Sequence, residues 1–315
     1  MGRVIFHRSF VVGLLGLILV LLVSLPLYHP STYVLVLLTA IFMYIVLTLS
    51  WVIFSGPTGY ISLASAAFFG VGIYTSAVFG KVISLPLVIG IGALASFFLA
   101  LLVGALTLRL RGIYFSIFTF GLVVLIQQLL LWWEVVKMHT RGRFVIVVNN
   151  TTIYYVMLII LVVLMFTTYL IRRSKYGLAL QSIGEDEEAA AHSGINTTVL
   201  KTITFAISAF FTGAAGSIMA TRWTYIDPYI AFNPLFSFLP VLMAIFGGIG
   251  HLFGPVLGAT IFGYLEEVLI TKFPYYYMLI FGTILVIAIL YLPGGLVGLM
   301  QKWQKGDLAG QHGNS

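Results

Sequence analysis

Four acidic side chains stand in succession in the segment SIGEDEEAAAHSG: Glu185, Asp186, Glu187 and Glu188, in a chain of 315 residues with nine acids in all. Such a concentration raises acid-base chemistry first, but the rest of the chain offers no partners for it. The six histidines, His7, His29, His139, His192, His251 and His312, fall near predicted helix ends or in loops, and no H-E-x-x-H or other ligand spacing connects them. There is no cysteine, which removes disulfides and thiolate metal sites. No G-x-x-x-x-G-K-[ST] phosphate loop occurs, so the chain has no recognisable means of binding ATP itself. The expectation is therefore no catalytic residue, no metal site and no cofactor in this chain.

The acidic run reads better as one end of a helix. Ser182 followed at the third position by Glu185 fits a capping box, in which the hydroxyl accepts from the Glu185 N–H and the carboxylate reaches back to the Ser182 N–H. This predicts a helix from Ile183, over about 183–193, with its carboxylates in the first turns where the macrodipole favours negative charge. Ala189, Ala190 and Ala191 are strong helix formers that leave the backbone nearly bare. Gly194 can take the left-handed conformation that closes a helix, giving an element ~15 Å long. From the residues alone it is either a solvated loop helix that keeps two spans apart or a smooth surface offered to another protein.

The elements around it belong in a membrane. Sixty-one per cent of the residues are hydrophobic and eight per cent charged, against roughly 25% charged in a soluble domain. Apolar runs at about 10–28, 33–54, 60–80, 85–108, 113–133, 152–171, 201–221, 236–246, 256–270 and 275–292 predict an all-α, polytopic transmembrane bundle of about eight to ten segments, some short or broken. We read residues 1–315 as one transmembrane domain with a loop at 172–200 and a tail at 301–315. With the N-terminus cytoplasmic, ten Lys and Arg fall inside and six outside. The ten include Lys201 and the clusters RLR and RRSK, which places loop, acidic run and both termini in the cytoplasm. Trp132, Trp133 and Tyr275–Tyr277 sit where an aromatic belt would lie. The net charge of +7 is scattered along the chain, which argues against nucleic-acid binding.

The segments at 236–246 and 256–270, joined by GGIGHLFGP, and the third segment, entered through FSGPTG, are expected to be broken or re-entrant helices lining a transport path. The bland alternative is that these glycines let helices pack closely. Candidate path residues are Ser62, Tyr74, Gln127, Gln128, Gly247 and Gly248, with Gln127 and Gln128 equally readable as helix-helix glue. Glu266 and Glu267 are expected at the membrane interface.

Four stretches in order, GPTGYISLASAAFFGVGIYTSAV, LRLRGIYFSIFTFG, GLALQSIGEDEEAAAHSGINTTVLKTITFAISAFFTGAAGSIMA and GGIGHLFGPVLGATIFGYLEEVL, resemble the LivM-type permeases of branched-chain amino acid ABC importers over roughly residues 40–300. EAAAHSG fits the E-A-A-x-x-x-G core of the loop by which such permeases meet their ATPases. The resemblance implies an importer permease in the cell membrane that is not itself an enzyme. It would pair with a second, similar permease, two cytoplasmic ATPase subunits that bind ATP-Mg, and an extracytoplasmic solute-binding protein. It makes the predicted helix a coupling helix with Glu185, Glu188, Ala189, Ala190 and Gly194 as its residues. The chain departs from the general permease pattern in lacking a Leu-Pro ending after Gly194. A urea or short-amide importer of the same family and a stand-alone carrier driven by an ion gradient are the competing functions; partner identity separates the first, and transport without ATP the second.

Overall fold

A computed structural model describes residues 13, 16–28, 30–110, 112–251, 253–291 and 295–298. The predicted tail at 301–315 and the N-terminal cations Arg3 and Arg8 lie outside them. Among the described residues each of the ten apolar runs contains a helix, as expected of a backbone that must satisfy its own polar groups in lipid. In chain order these are α1 (Gly16–Tyr28, closing in a 3₁₀ turn), α2 (Thr32–Thr58), α3 (Ser65–Phe79), α4 (Leu85–Thr107), α5 (Ile113–Lys137) and α6 (Asn150–Arg173). Two short helices follow, α7 (Lys175–Glu185) and α8 (Glu187–His192), then α9 (Thr197–Ala220), α10 (Pro228–Ala231), α11 (Leu235–Gly247), α12 (Gly254–Lys272) and α13 (Tyr277–Tyr291). Among the described residues, six stretches are long and apolar enough to cross a membrane: α2, α4, α5, α6, α9 and the combined α10–α11 stretch Pro228–Gly247. The protein is a multi-pass helical membrane protein.

The bundle is layered around α2 and α9, which are buried over most of their length, whereas α4, α5 and α6 turn large apolar residues such as Phe98, Leu125 and Phe166 outward. That outward face suits lipid, and Trp132 and Trp133 are half exposed near one end of it. Small residues let α3, α4 and α9 approach closely: a Cβ on Gly72 would come 2.0 Å from the Gly213 carbonyl oxygen, so a methyl group there would push α3 off α9. Ser217 Oγ donates to the Gly72 carbonyl (3.1 Å) and Ser96 Oγ to the Phe68 carbonyl (2.9 Å) across the same contacts. At the end of the bundle away from α7 and α8, the two-residue strands β1 (Arg143–Phe144) and β2 (Tyr225–Ile226) pair antiparallel and tie the α5–α6 connection to the one after α9.

One expectation about local structure is corrected and two are refined. The helix at 183–193 does not form as one piece: Ser182 lies inside α7, where its hydroxyl donates to the Leu178 carbonyl, and the chain breaks at Asp186. Asp186 is the cap, its Oδ1 accepting from the N–H groups of Glu188 (2.9 Å) and Ala189 (3.0 Å). A carboxylate one residue before the turn outcompetes the more distant serine, and α8 has six residues. The break before the third segment begins at the end of FSGPTG: Pro57 sits within the last turn of α2, Gly59 (φ 71°) takes the left-handed closing conformation, and helix resumes at Ser65. Of the pair joined by GGIGHLFGP, α11 is short at 13 residues and is separated from α10 by residues 232–234, whereas α12, with 19 residues, is longer than expected.

Candidate functional site

The joint between α8 and the bundle is built on a buried lysine. Lys201 enters α9 on the same face as Phe205, Ala209 and Thr212, at four-residue and then three-residue spacing, so the helix carries it into the interior, where it is 1% exposed. An ammonium has three N–H donors. Here they reach Glu187 Oε1 of α8 (2.6 Å), the Leu108 carbonyl at the end of α4 (3.1 Å) and the Tyr60 hydroxyl oxygen (3.2 Å). Tyr60 O–H in turn donates to Glu187 Oε2 (2.6 Å), and the ammonium lies 4.5 Å from the Tyr60 ring centroid. Glu187, Lys201 and Tyr60 thus close a triangle over three chain segments. Beneath it the Tyr60, Phe54, Phe115 and Phe205 rings pack edge to face and tilted, with centroids 5.0 to 6.5 Å apart.

Tyr60 follows Gly59 in the non-helical stretch 59–64, where Ser62 and Ala64 are buried and Gly59 and Ile61 are exposed. Side chains bond the backbone of its middle residues. Ser116 Oγ donates to the Ile61 carbonyl (2.7 Å), Trp51 Nε1 donates to the Ser62 carbonyl (2.8 Å), and the Leu63 N–H donates to Thr119 Oγ1 (3.0 Å). The Ala66 N–H, in the first turn of α3, donates to Ser237 Oγ of α11 (3.0 Å). An unpaired buried backbone group is costly, so the bonds to Ser62, Leu63 and Ala66 help this segment stay unwound where it is covered.

From Ser65, α3 leads to Tyr74, about 14 Å further along its axis. Tyr74 lines an apolar cavity of about 580 Å³ with Val78, Ile126, Trp132, Trp133 and Phe232. A second cavity of about 520 Å³ shares Val78 and carries Lys81, Arg141 and Arg143. Arg143 pairs with buried Glu134 (3.4 Å), which also accepts from the Gly142 N–H (2.9 Å). At the α7 end, a cavity of about 300 Å³ lies between α2, α6 and α7 and is lined by Gly56, Pro57, Arg172, Gln181 and Glu185. Among the described residues no group of three His, Asp or Glu side chains could hold a metal ion.

The family model described as the permease component of branched-chain amino acid transport systems matches residues 33–289. The chain belongs to that family. The high-affinity branched-chain amino acid transport system permease protein LivM of Salmonella typhimurium is 26% identical over 87% of this chain and 72% of its own length. LivM of Escherichia coli is 26% identical over 96% of this chain and 78% of its own length. The ribose import permease protein RbsC of Haemophilus influenzae is 27% identical over a shorter stretch, 39% of this chain and 40% of its own length. No solved structure matches.

Within this permease the predicted residues separate. Of the predicted coupling residues, Glu188 and Ala189 are exposed on α8 and Gly194 (φ 86°) follows its end, while Ala190 is turned inward at 4% exposure. Glu185 is not on α8; it is the last residue of α7 and faces the 300 Å³ cavity. Of the predicted path residues, Ser62 lies buried in the non-helical stretch and Tyr74 in the apolar cavity. Gln127 is buried and donates to the Phe232 carbonyl (3.4 Å), joining α5 to the end of α10, whereas Gln128 points outward from α5. Gly247 and Gly248 are buried where α11 turns towards α12, and a Cβ on Gly247 would fall 1.9 Å from the Gly254 carbonyl oxygen, so close packing accounts for Gly247. Glu266, at 8% exposure, faces Tyr44 of α2. Glu187, Lys201 and Tyr60 were absent from the sequence-predicted site. The one available signal was the spacing of Lys201 to Phe205, which puts the lysine on the apolar face of its helix.

Proposed function

We propose that this chain is the membrane-spanning subunit of an ATP-driven importer of branched-chain amino acids, a single permease domain in the cell membrane with α7, α8 and both termini on the cytoplasmic side. The observation that carries this reading is the two-sidedness of α8. It fixes Glu187 and Ala190 against the bundle and leaves Glu188, Ala189 and His192 exposed as a small, smooth face. Such a face suits docking into a groove of a cytoplasmic ATPase, two of which would serve this chain and a second, similar permease. ATP and its Mg²⁺ would be bound on those partners. An extracytoplasmic binding protein would deliver the solute, so the membrane path itself needs little affinity. A cavity lined by Tyr74, Val78, Ile126 and Trp132 fits an aliphatic side chain, and the solute class named for the LivM relatives has one.

Transport then follows from differential binding. ATP closes the ATPases together, α8 moves with them, and the membrane halves exchange inward-open for outward-open because the nucleotide binds the two states unequally. The test is to purify the native complex through a tag on this chain, identify its subunits, and measure uptake of radiolabelled leucine by proteoliposomes containing ATP. Uptake that requires ATP, the ATPases and the binding protein is expected. Uptake by this chain alone under an ion gradient would overturn the reading, and a binding protein that holds urea or ribose instead of leucine would overturn the solute. Glu188→Lys or Gly194→Trp should leave the permease in the membrane and abolish ATP-driven uptake, measured with the same vesicles; unchanged uptake would remove α8 from the docking role.

A further inference from the structure

We infer that Glu187, Lys201 and Tyr60 are positioning residues for transport, forming the rigid joint through which a displacement of α8 reaches the non-helical stretch 59–64 and α3. This rests on the reading of α8 as the ATPase-facing element and says where its motion goes. Capping by Asp186 and closure at Gly194 shape α8 but do not tie it to the membrane helices. The tie is Glu187, each of whose carboxylate oxygens is held at 2.6 Å, one by Lys201 of α9 and the other by Tyr60. Lys201 is itself fixed by the Leu108 carbonyl, so the joint also includes the end of α4. Short, charge-assisted bonds with little water around them are stiff, and their partners lie 127 and 141 positions apart in sequence for Tyr60.

What lies beyond Tyr60 makes the direction of transmission specific. The next three residues, Ile61, Ser62 and Leu63, lie outside any helix and are held by single side chains from α2 and α5. They run directly into α3, whose Tyr74 lines the apolar cavity. A push on α8 is therefore delivered to the hinge-like entry of the helix that borders the cavity, with α9 and α4 as the fixed side of the joint. A solvated loop helix needs none of this, since any exposed polar residue would serve at position 187 and a buried ammonium at 201 would be a cost without purpose.

The test uses the complete transporter in proteoliposomes and reads leucine uptake per ATP hydrolysed. Tyr60→Phe keeps the ring and the Lys201 contacts to Glu187 and Leu108, and removes the hydroxyl link to α8. Assembly with the ATPases is expected to be unchanged and the uptake-to-hydrolysis ratio to fall about tenfold, as loss of one hydrogen bond to a charged group implies. Glu187→Gln should lower the ratio in the same direction. A purely structural role would instead lower uptake and hydrolysis in proportion, or lower the amount of assembled complex with the ratio intact; either result overturns the joint, as does an unchanged ratio. If Tyr60→Phe fails to assemble at all, the triangle is a folding requirement and the inference is wrong. Failure of the unaltered transporter to take up leucine under ATP would be a separate result, against the proposed function.

Discussion

Two acid-base pairs mark opposite ends of the bundle and are built in opposite ways. In the Glu187–Lys201 pair the base is the buried partner, at 1% side-chain exposure against 19% for the acid, and the 2.6 Å contact joins separate elements that also engage Tyr60. In the Glu134–Arg143 pair the acid is buried, at 2% against 30% for the arginine, and the 3.4 Å contact joins residues nine positions apart in one helix and its following loop. The second pair fastens a loop to its own helix. The first fastens the acidic run to the membrane helices, so the two should respond very differently to neutralisation.

Lys201→Met removes the ammonium from both Glu187 and the Leu108 carbonyl and leaves Glu187 the Tyr60 hydroxyl; it should destabilise the permease by about 3 kcal/mol, the low end for a broken buried pair because Glu187 keeps some solvent. Thermal unfolding in lipid nanodiscs measures this. Gly184→Val should come next. Its Cβ would meet the Pro57 carbonyl oxygen at 2.1 Å, so α7 must lift from the end of α2, at about 1 to 3 kcal/mol by the same assay. Asp186→Ala removes the cap of α8 and should cost about 1 kcal/mol, seen mainly as faster amide hydrogen exchange at Glu188 and Ala189. Glu134→Gln should cost least, about 1 kcal/mol, since it leaves behind the partly solvated Arg143 and its amide oxygen can still accept from the Gly142 N–H. A loss from Glu134→Gln equal to that from Lys201→Met would erase the contrast.

The spans were legible in sequence because a lipid-exposed backbone has to be helical wherever an apolar run is long enough. The chemistry at their ends was less so. Lys201 counts as one more solvated cation in a tally of loop charges, and its burial depends on Tyr60 and Leu108, which no local pattern connects to it. The serine cap was read correctly as chemistry but assigned to the wrong residue, because Lys175–Glu185 forms a helix of its own despite Gly177 and Gly184, placing Ser182 in its interior. Pro57 and the glycines of FSGPTG located the break only to within a turn. The contact of Glu266 with Tyr44 joins α12 to α2, and no local pattern in the sequence connects the two. The exposure of Glu188 and Ala189 and the left-handed φ of Gly194 agree with the sequence because such local properties are the kind it encodes.

The most direct test of the account is a double-mutant cycle of Glu187→Gln and Lys201→Met, read as unfolding free energy of the permease in nanodiscs. A buried, mutually dependent pair predicts a coupling energy above about 1 kcal/mol, the double variant being less damaged than the sum of the singles. Additivity within about 0.5 kcal/mol would mean that the two residues act independently and that α8 is not held to the bundle through them.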